Sequence, residues 1–459
     1  MESITLIALV IFVLTYFLIS VRRLSSVPIE KPAAALLGAA LMVIFSVVKP
    51  EDALDAIDLH TIALLLGMMI MVAVLDLCGF FGYVSVQIVR RAKNRTQFLV
   101  MLMVATAVLS ALILNDTVVL LFTPIIIRSC AMMKVDPVPY LISEAISANV
   151  GSVATEIGNP QNAYIAMASG ISFVEYSLRL VPVTAVCLLI SIGIVYAIFK
   201  EELSKPLAIP DKGLISKESE LFTFGNKKEG KGEVGDKASK GVNGVWRVIH
   251  SMRLEEIGKI RVKGIPYVAL FTLVCVFVGF CIGPYYEMPI SIIAVLGGVV
   301  LLFVTPIFSD IKPNKVLQSV DWTVLLFFVG LFVVLRGVAE SGLLALFQDF
   351  FDMISGGRAG ETGWLYVICS VLSNLISNVP AVMLLAGSVP MTDKSWLALA
   401  ASSTLAGNAT ILGAAANIIV AESASKMGVE VGFWKFMKAG LPVTVATLFV
   451  SYLMIELMF

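Results

Sequence analysis

The sequence predicts an all-α polytopic membrane protein made of two inverted five-helix repeats, each with a re-entrant hairpin and a broken helix. Three observations predict it: scarce charge, recurrent long apolar runs, and a self-similarity that divides the chain in two. Of the 459 residues, 58% are hydrophobic and 14% charged, whereas soluble chains carry about 25% charged residues. So little polar residue cannot cover a water-facing surface. The apolar runs are long enough to cross the roughly 30 Å hydrocarbon layer. Backbone groups in lipid must be satisfied internally, so a spanning segment is a helix or part of a closed barrel. Continuous runs such as IALLLGMMIMVAVL (62–75) lack the period-two alternation of a barrel.

The runs give ten spanning helices, at about 3–20, 33–49, 61–79, 139–169, 180–199, 265–283, 289–308, 322–338, 396–421 and 440–458. The first follows Met-Glu-Ser with no basic lead, so it reads as a membrane helix and not a cleaved signal. Two further apolar regions, 98–133 and 363–390, are interrupted by Asn115-Asp116 and by Ser377-Asn378-Val379-Pro380. Each reads as a re-entrant hairpin with a polar tip, because non-helical backbone at membrane depth must be buried in protein or line a cavity. Residues 80–96 read as an interfacial helix, and Val245–Ile260 as an amphipathic surface helix.

Asp58, Gly67, Gly79, Ser110 and Asn115 recur 263 residues later as Asp321, Gly330, Gly342, Ser373 and Asn378. LLGAALMVIF (36–45) is echoed by VLGGVVLLFV (295–304), and ATEIGNPQNAYIA (154–166) by ATILGAAANIIVA (409–421). FVEYSLRLVPVT (173–184) is echoed by FWKFMKAGLPVT (433–444). The chain therefore divides into a first membrane repeat at 1–199, a polar linker at 200–264 and a second membrane repeat at 265–459. An odd number of spans per repeat inverts one copy relative to the other. Inverted repeats with discontinuous helices are the architecture of secondary transporters, whose site lies near the midplane.

Orientation follows from the basic residues. Arg22, Arg23, Lys31, Arg90, Arg91, Lys93, Arg95, Arg128, Lys134, the linker, Lys312, Lys315, Lys426, Lys435 and Lys438 fall on one side, and only Lys49, Arg179, Arg358 and Lys394 on the other. That side is expected to be the cytoplasm, with both termini outside, in a multi-pass plasma-membrane protein. Zero formal net charge gives no sign of nucleic-acid binding. The six cysteines form no CxxC pair and read as small buried thiols.

Polar breaks in otherwise apolar helices mark the candidate site. Besides the two tips, they are the stretch Asn149–Asn162, with Thr155, Glu156, Gly158, Asn159 and Pro160, and the stretch from Gly407 through Asn408, Thr410, Gly413 and Asn417. Gly158 permits non-helical φ, and Pro160 removes a backbone donor. Asn115 and Asn378 read either as ligand contacts or as simple caps. Unwound carbonyls suit a cation, and half-helix N-termini suit an anion. Acids at membrane depth are functional by default, which singles out Asp116 and Glu156 as carriers of a cation or a proton. Asp58 and Asp321 read as helix caps, Asp76 and Arg336 as candidates for a buried pair, and His60 as structural.

LNDTVVLLFTPIII (114–127), the Ile-Gly-x-Pro-x-Asn core of ATEIGNPQNAYIA and SNVPAVMLL (377–385) resemble motifs of the ion transporter superfamily. That group includes divalent anion:sodium symporters, citrate-transporter-like permeases, arsenite-efflux permeases and sodium/proton antiporters of the same fold. The resemblance implies a homodimer with elevator-like movement, and tip residues Asn115, Thr117, Ser377 and Asn378 that hold substrate carboxylates and sodium. The sequence departs from the symporter tips at Leu114, Asp116 and Val379, and the added acids point to cation or proton handling.

The expectation is secondary active transport of a small anion, a carboxylate or an inorganic oxyanion, coupled to Na⁺ or H⁺, with no other cofactor. Sodium/proton antiport and arsenite or metalloid efflux are the alternatives. The candidate site comprises Asn115, Asp116, Thr117, Thr155, Glu156, Gly158, Asn159, Pro160, Asn162, Ser377, Asn378, Pro380, Asn408, Thr410, Gly413 and Asn417, with Na⁺ near Asn115, Asp116, Thr155 and Glu156. An enzyme is not expected: His60 and His250 are the only histidines, and both fall at or beyond membrane edges.

Overall fold

The computed structural model describes residues 2–20, 30–206, 265–389 and 391–459. All regular elements among them are helical. The first half contains α1 (Glu2–Ser20), α2 (Lys31–Ile44), α3 (Pro50–Asp55), α4 (Leu59–Leu77), α5 (Phe80–Arg91), α6 (Arg95–Leu112), α7 (Asn115–Met132), α8 (Val138–Ser152), α9 (Pro160–Ser169), α10 (Phe173–Ile198) and the short α11 (Lys200–Leu203). The second half contains α12 (Ile265–Ile282), α13 (Ile290–Phe308), α14 (Pro313–Gln318), α15 (Trp322–Glu340), α16 (Leu343–Ser355), α17 (Thr362–Ile376), α18 (Asn378–Ser388), α19 (Asp393–Ala406), α20 (Ala415–Lys426) and α21 (Phe433–Met458). Most of the linker, and with it Val245–Ile260, lies outside the described residues.

Eight described helices are long and apolar enough to cross a membrane, α4, α13 and α15 among them. The 19 residues of α4 make about 28 Å of helix, close to the hydrocarbon thickness. Both arms of the first hairpin also qualify by length. Their tip nevertheless sits beside the middle of the α8–α9 rod, because the Asn115 amide donates to the carbonyl of Gly158 at 2.9 Å. The chain turns back at depth, as a re-entrant hairpin must.

Apart from the short α11, the helices of the two halves follow in the same order. Asp58 and Asp321 both act as N-caps, accepting from the His60 and Thr323 amides. Gly79 and Gly342 both adopt left-handed backbone, at φ 74° and 76°, where the chain turns from a spanning helix into α5 or α16. Only glycine takes that conformation without strain. An added Cβ at Gly67 of α4 would sit 2.3 Å from the Ala294 backbone of α13. One at Gly330 of α15 would sit 2.6 Å from the Ala35 backbone of α2. Small residues let membrane helices approach closely where no hydrophobic drive pulls them together. The contacts exchange halves: α4 packs on α13 and α2 on α15, while α7 packs on α20 and α18 on α9. That reciprocal exchange is the pattern that inverted repeats require.

Several boundaries differ from the sequence expectation. α10 and α21 begin at Phe173 and Phe433, seven residues early, because polar turns with Glu175, Arg179, Lys435 and Lys438 extend helices that hydropathy cuts short. α2 ends at Ile44, and a turn with Ser46 at φ 56° follows it. Cys275 and Cys281 are exposed, so they are not the buried thiols expected; both lie on α12, where Tyr267, Phe271, Val274 and Val278 are exposed as well. Arg336 bonds Glu340 one turn along its own helix at 2.6 Å, and that partner replaces the expected Asp76. His60 Nδ1 lies 2.9 Å from Ser291 Oγ, a helix-to-helix contact.

Candidate functional site

Both tips are built so that a helix restarts at an asparagine. Ile113 and Leu114 are non-helical and buried, and α7 begins at Asn115. Neither asparagine is the N-cap. Each is the first helical residue and braces the neighbouring break. Asn115 Nδ2 donates to Asn149 Oδ1 at 3.2 Å, and its Oδ1 accepts from the Asp116 amide at 2.9 Å. At the second tip Ser377 has φ 81° and ψ 157°, a region costly for any residue but glycine. Asn378 follows, and with its carboxamide turned so that the nitrogen faces them it donates to the carbonyls of Ser403 at 3.2 Å and Gly413 at 3.3 Å, the orientation that satisfies both. Lys31 Nζ donates to Ser377 Oγ at 3.4 Å.

A matched carboxamide clamp holds each broken helix. Asn162 Nδ2 donates to the carbonyls of Ser152 at 3.0 Å and Thr155 at 3.1 Å. Asn417 Nδ2 donates to those of Gly407 at 2.7 Å and Thr410 at 2.8 Å. The clamps close the ends of the broken helices, adding to the turn bonds that the Thr155 and Thr410 carbonyls accept from the Gly158 and Gly413 amides at 3.3 and 3.1 Å. Gly158 and Gly413 fold back so closely that a Cβ would lie 2.3 Å from the Ser152 carbonyl oxygen and 2.7 Å from that of Gly407. Asn159 caps α9, accepting from the Asn162 amide at 2.9 Å.

Amides also tie the two breaks together. Asn149 Nδ2 donates to Asn408 Oδ1 at 3.0 Å and Asn417 Oδ1 at 2.9 Å. Asn159 Nδ2 reaches Thr404 Oγ1 at 3.0 Å, and Gln161 Nε2 reaches the same hydroxyl at 3.2 Å. Thr155 Oγ1 donates to the Ala111 carbonyl at 2.5 Å, and Asn374 Nδ2 to the Ala406 carbonyl at 3.0 Å, so each hairpin is pinned to its own break.

The tips and breaks meet around a cavity of about 380 Å³. Its wall contains the first residues of four helices: Asn115 and Asp116 of α7, Pro160 and Gln161 of α9, Asn378 and Val379 of α18, and Ala415 of α20. Each helix N-terminus carries roughly +0.5 elementary charge, so the convergence makes an anion-favouring concavity, although the Asn115 and Asp116 amides are already bonded within the protein and Pro160 has no N–H. The mouth has different chemistry. Glu30, Asp321 and Glu422 are exposed there, with Lys31 half-buried beside them. Following the chain, this mouth lies on the same side as the end of α10, where the linker starts.

Of the residues proposed from sequence, Asn115, Asp116, Pro160, Ser377 and Asn378 line the cavity. Thr155, Asn159, Asn162, Asn408 and Asn417 lie in the supporting bonds behind it. Gly158 and Gly413 shape the breaks, and Thr410 gives a carbonyl to the clamp. Thr117 and Pro380 follow in the first turns of α7 and α18, outside the cavity wall. The two proposed acids occupy different settings. Asp116 is in the wall, whereas Glu156 is 1% exposed, outside the wall, with Oε1 unpartnered among the described residues.

Sequence reading missed Glu144 on α8, which is 0% exposed. Its Oε2 accepts from Thr123 Oγ1 at 2.9 Å, and its Oε1 has no partner among the described residues. The signal was available, since an acid within the 139–169 run is an ionisable group at membrane depth. Gln161, Lys31 and Glu422 were missed as cavity residues because only the packing of distant segments brings them there.

Comparison with known proteins fits this architecture. A family model, CitMHS, described as citrate transporter, matches residues 7–400. An uncharacterized transporter of Mycobacterium tuberculosis (strain ATCC 25618 / H37Rv) is 31% identical, with 97% of both chains covered. The silicon efflux transporter LSI3 of Oryza sativa subsp. japonica is 30% identical, covering 91% of this chain and 90% of its own. The crystal structure of the Alcanivorax borkumensis YdaH transporter, described as having an unusual topology, aligns with a TM-score of 0.52. It covers 99% of this chain and 97% of its own at 13% identity, which speaks to the fold alone.

Proposed function

Because the chain belongs to the citrate transporter family, and is therefore a multi-pass membrane transporter and not an enzyme, we propose that it carries a small carboxylate or inorganic oxyanion coupled to Na⁺ or H⁺. The observation that carries this reading is the convergence of four helix N-termini on one cavity. An anion there gains from the helix dipoles without needing an arginine. Asp116, at the start of α7 and in the wall, is the group that takes the coupling cation or proton. A carboxylate beside a bound anion repels it unless a cation or a proton neutralises one of the two, and that requirement couples the fluxes. Thr155, Glu156, Asn159, Asn162, Asn408 and Asn417 then serve behind the wall, keeping the breaks open. The cavity mouth faces the side read as cytoplasmic, so the described state is inward-open. Transport proceeds by elevator-like movement of the hairpins in a plasma-membrane homodimer.

A second reading follows from the acidic mouth. Glu30, Asp321 and Glu422 disfavour a multiply charged anion on its way in. A neutral oxyacid would pass them, and the rice relative is named a silicon efflux transporter.

An uptake panel separates the two. Proteoliposomes with an inward Na⁺ or H⁺ gradient are offered radiolabelled citrate, succinate, phosphate and arsenate, and, as neutral oxyacids, arsenous and silicic acid. Gradient-driven accumulation of an anion, reduced at least about tenfold in Asn378→Ala, supports the first reading. Accumulation confined to the neutral acids supports the second. Uptake of none under either gradient contradicts both.

A further inference from the structure

The two tips match in register but not in charge. Aligned by the 263-residue repeat, Asn115 stands against Asn378, Asp116 against Val379 and Leu114 against Ser377. The first tip thus offers a carboxylate to a cation and the second offers none. What the second tip has instead is Lys31, whose Nζ donates to Ser377 Oγ at 3.4 Å. Lys31 is the basic side chain among the described residues of the cavity wall. The echo of 36–45 in 295–304 places Ile290 at the matching position of the second repeat, so the first tip has no equivalent.

We propose that Lys31 is a tethered cation for the second half-site: its ammonium occupies, at the Ser377 tip, the place that a free coupling ion would take in a symmetrical transporter. An ammonium has the charge of an alkali cation and three donors for surrounding oxygens. It differs in being unable to leave with the substrate. Its helix, α2, packs on α15, whereas Ser377 ends α17 and opens the hairpin arm α18. A shift of the tip relative to α2 therefore separates the two groups, and the positive charge stays with α2. One exchangeable cation at Asp116 and one fixed cation at Ser377 make the chain a single-ion carrier, and Lys31 sets that stoichiometry.

The inference rests on the reading that the tips hold the transported species and its cation, so its test is run where the Asp116 site is removed. Purified full-length Asp116→Asn protein is heated at constant ionic strength in NaCl, LiCl or KCl, each against choline chloride. Its unfolding midpoint should be the same in all four. Adding Lys31→Met should create a saturable rise of the midpoint in at least one alkali chloride over choline, by linkage of binding to folding. Adding Lys31→Arg, which keeps the charge, should create none. Lys31→Gln provides a second neutral variant if Lys31→Met does not give a monodisperse protein. Neutral variants that are folded and as indifferent to alkali cations as Asp116→Asn alone would overturn the proposal. A cation response surviving in Asp116→Asn itself would instead contradict the role of Asp116. The response added by Lys31→Met would still be read against that baseline.

Discussion

The first tip carries Asp116 where the second has Val379, and the first break carries Glu156 where the second has Ile411. The first break is buried from Gly151 through Asn162, whereas the second exposes Leu412 to 65%. Against these differences stand the features that stay the same. The carboxamide clamps bond equivalent carbonyls, the glycines fold back on equivalent residues, and the tip asparagines brace their own breaks. Repetition has kept what holds broken backbone in place, because unsatisfied carbonyls at membrane depth are costly in either half. It has not kept the charges, because two half-sites acting on one substrate need not divide the work equally.

The comparison can be tested by treating both halves alike. The largest structural effect is expected at the close approaches of α4 to α13 and α2 to α15. Gly67→Leu and Gly330→Leu should each destabilise by about 3 kcal/mol or more, since backbone and not a flexible side chain stands in the way. Thermal unfolding in detergent would show it. A large drop for one and none for the other would break the structural equivalence.

Next come the clamps. Asn162→Ala and Asn417→Ala each remove two buried hydrogen bonds, a loss of about 2–3 kcal/mol. Asn417→Ala should be the more damaging, because Asn417 Oδ1 also accepts from Asn149 and so joins the two breaks. A chemical-denaturation series on the pair checks the order.

The smallest effect sharpens a contrast at the edges. Arg95 and Arg358 are repeat partners. Arg95 Nη1 bonds Glu202 at 2.5 Å and is mostly buried, while Arg358 lies 3.9 Å from Glu361 with both side chains exposed. Arg95→Ala should therefore lower stability measurably and Arg358→Ala hardly at all. The hydrogen bond from Lys205, with Arg95 alongside, holds the Glu202 carboxyl below its usual range. A depressed folded-state pKa adds stability that is full above the ordinary carboxylate range and is lost as pH falls from there through the lowered folded-state value. The Arg95→Ala deficit should thus shrink on acidification from pH 7 to pH 4. A deficit constant across that range would exclude this ion pair as its source.

Local signals in the sequence located the tips, the breaks and the caps at Asp58 and Asp321, because each is a polar interruption in an apolar run. The repeat added the pairing of distant segments. Residues that matter through long-range packing were not legible. Lys31 reads as one more basic residue at a helix start until α2 is set against the second tip. Asn162 and Asn417 read as ligands because an amide in a break looks alike whether it faces a cavity or its own backbone. Glu144 went unread because no break marks it: α8 runs unbroken from Val138 to Ser152. Cys275 and Cys281 read as buried because apolar surroundings in a membrane can be protein or lipid, and hydropathy does not tell them apart.

The central claim is that the cation moves only with an anion at the four converging helix N-termini. Internal pH of proteoliposomes with a trapped dye, after external NaCl is added with no oxyanion present, tests it most directly. Symport predicts no proton movement on Na⁺ addition as long as no transported oxyanion is present, in the wild type and in Asp116→Asn alike. Proton efflux on Na⁺ addition alone, lost in Asp116→Asn, would contradict it and make the protein a sodium/proton antiporter.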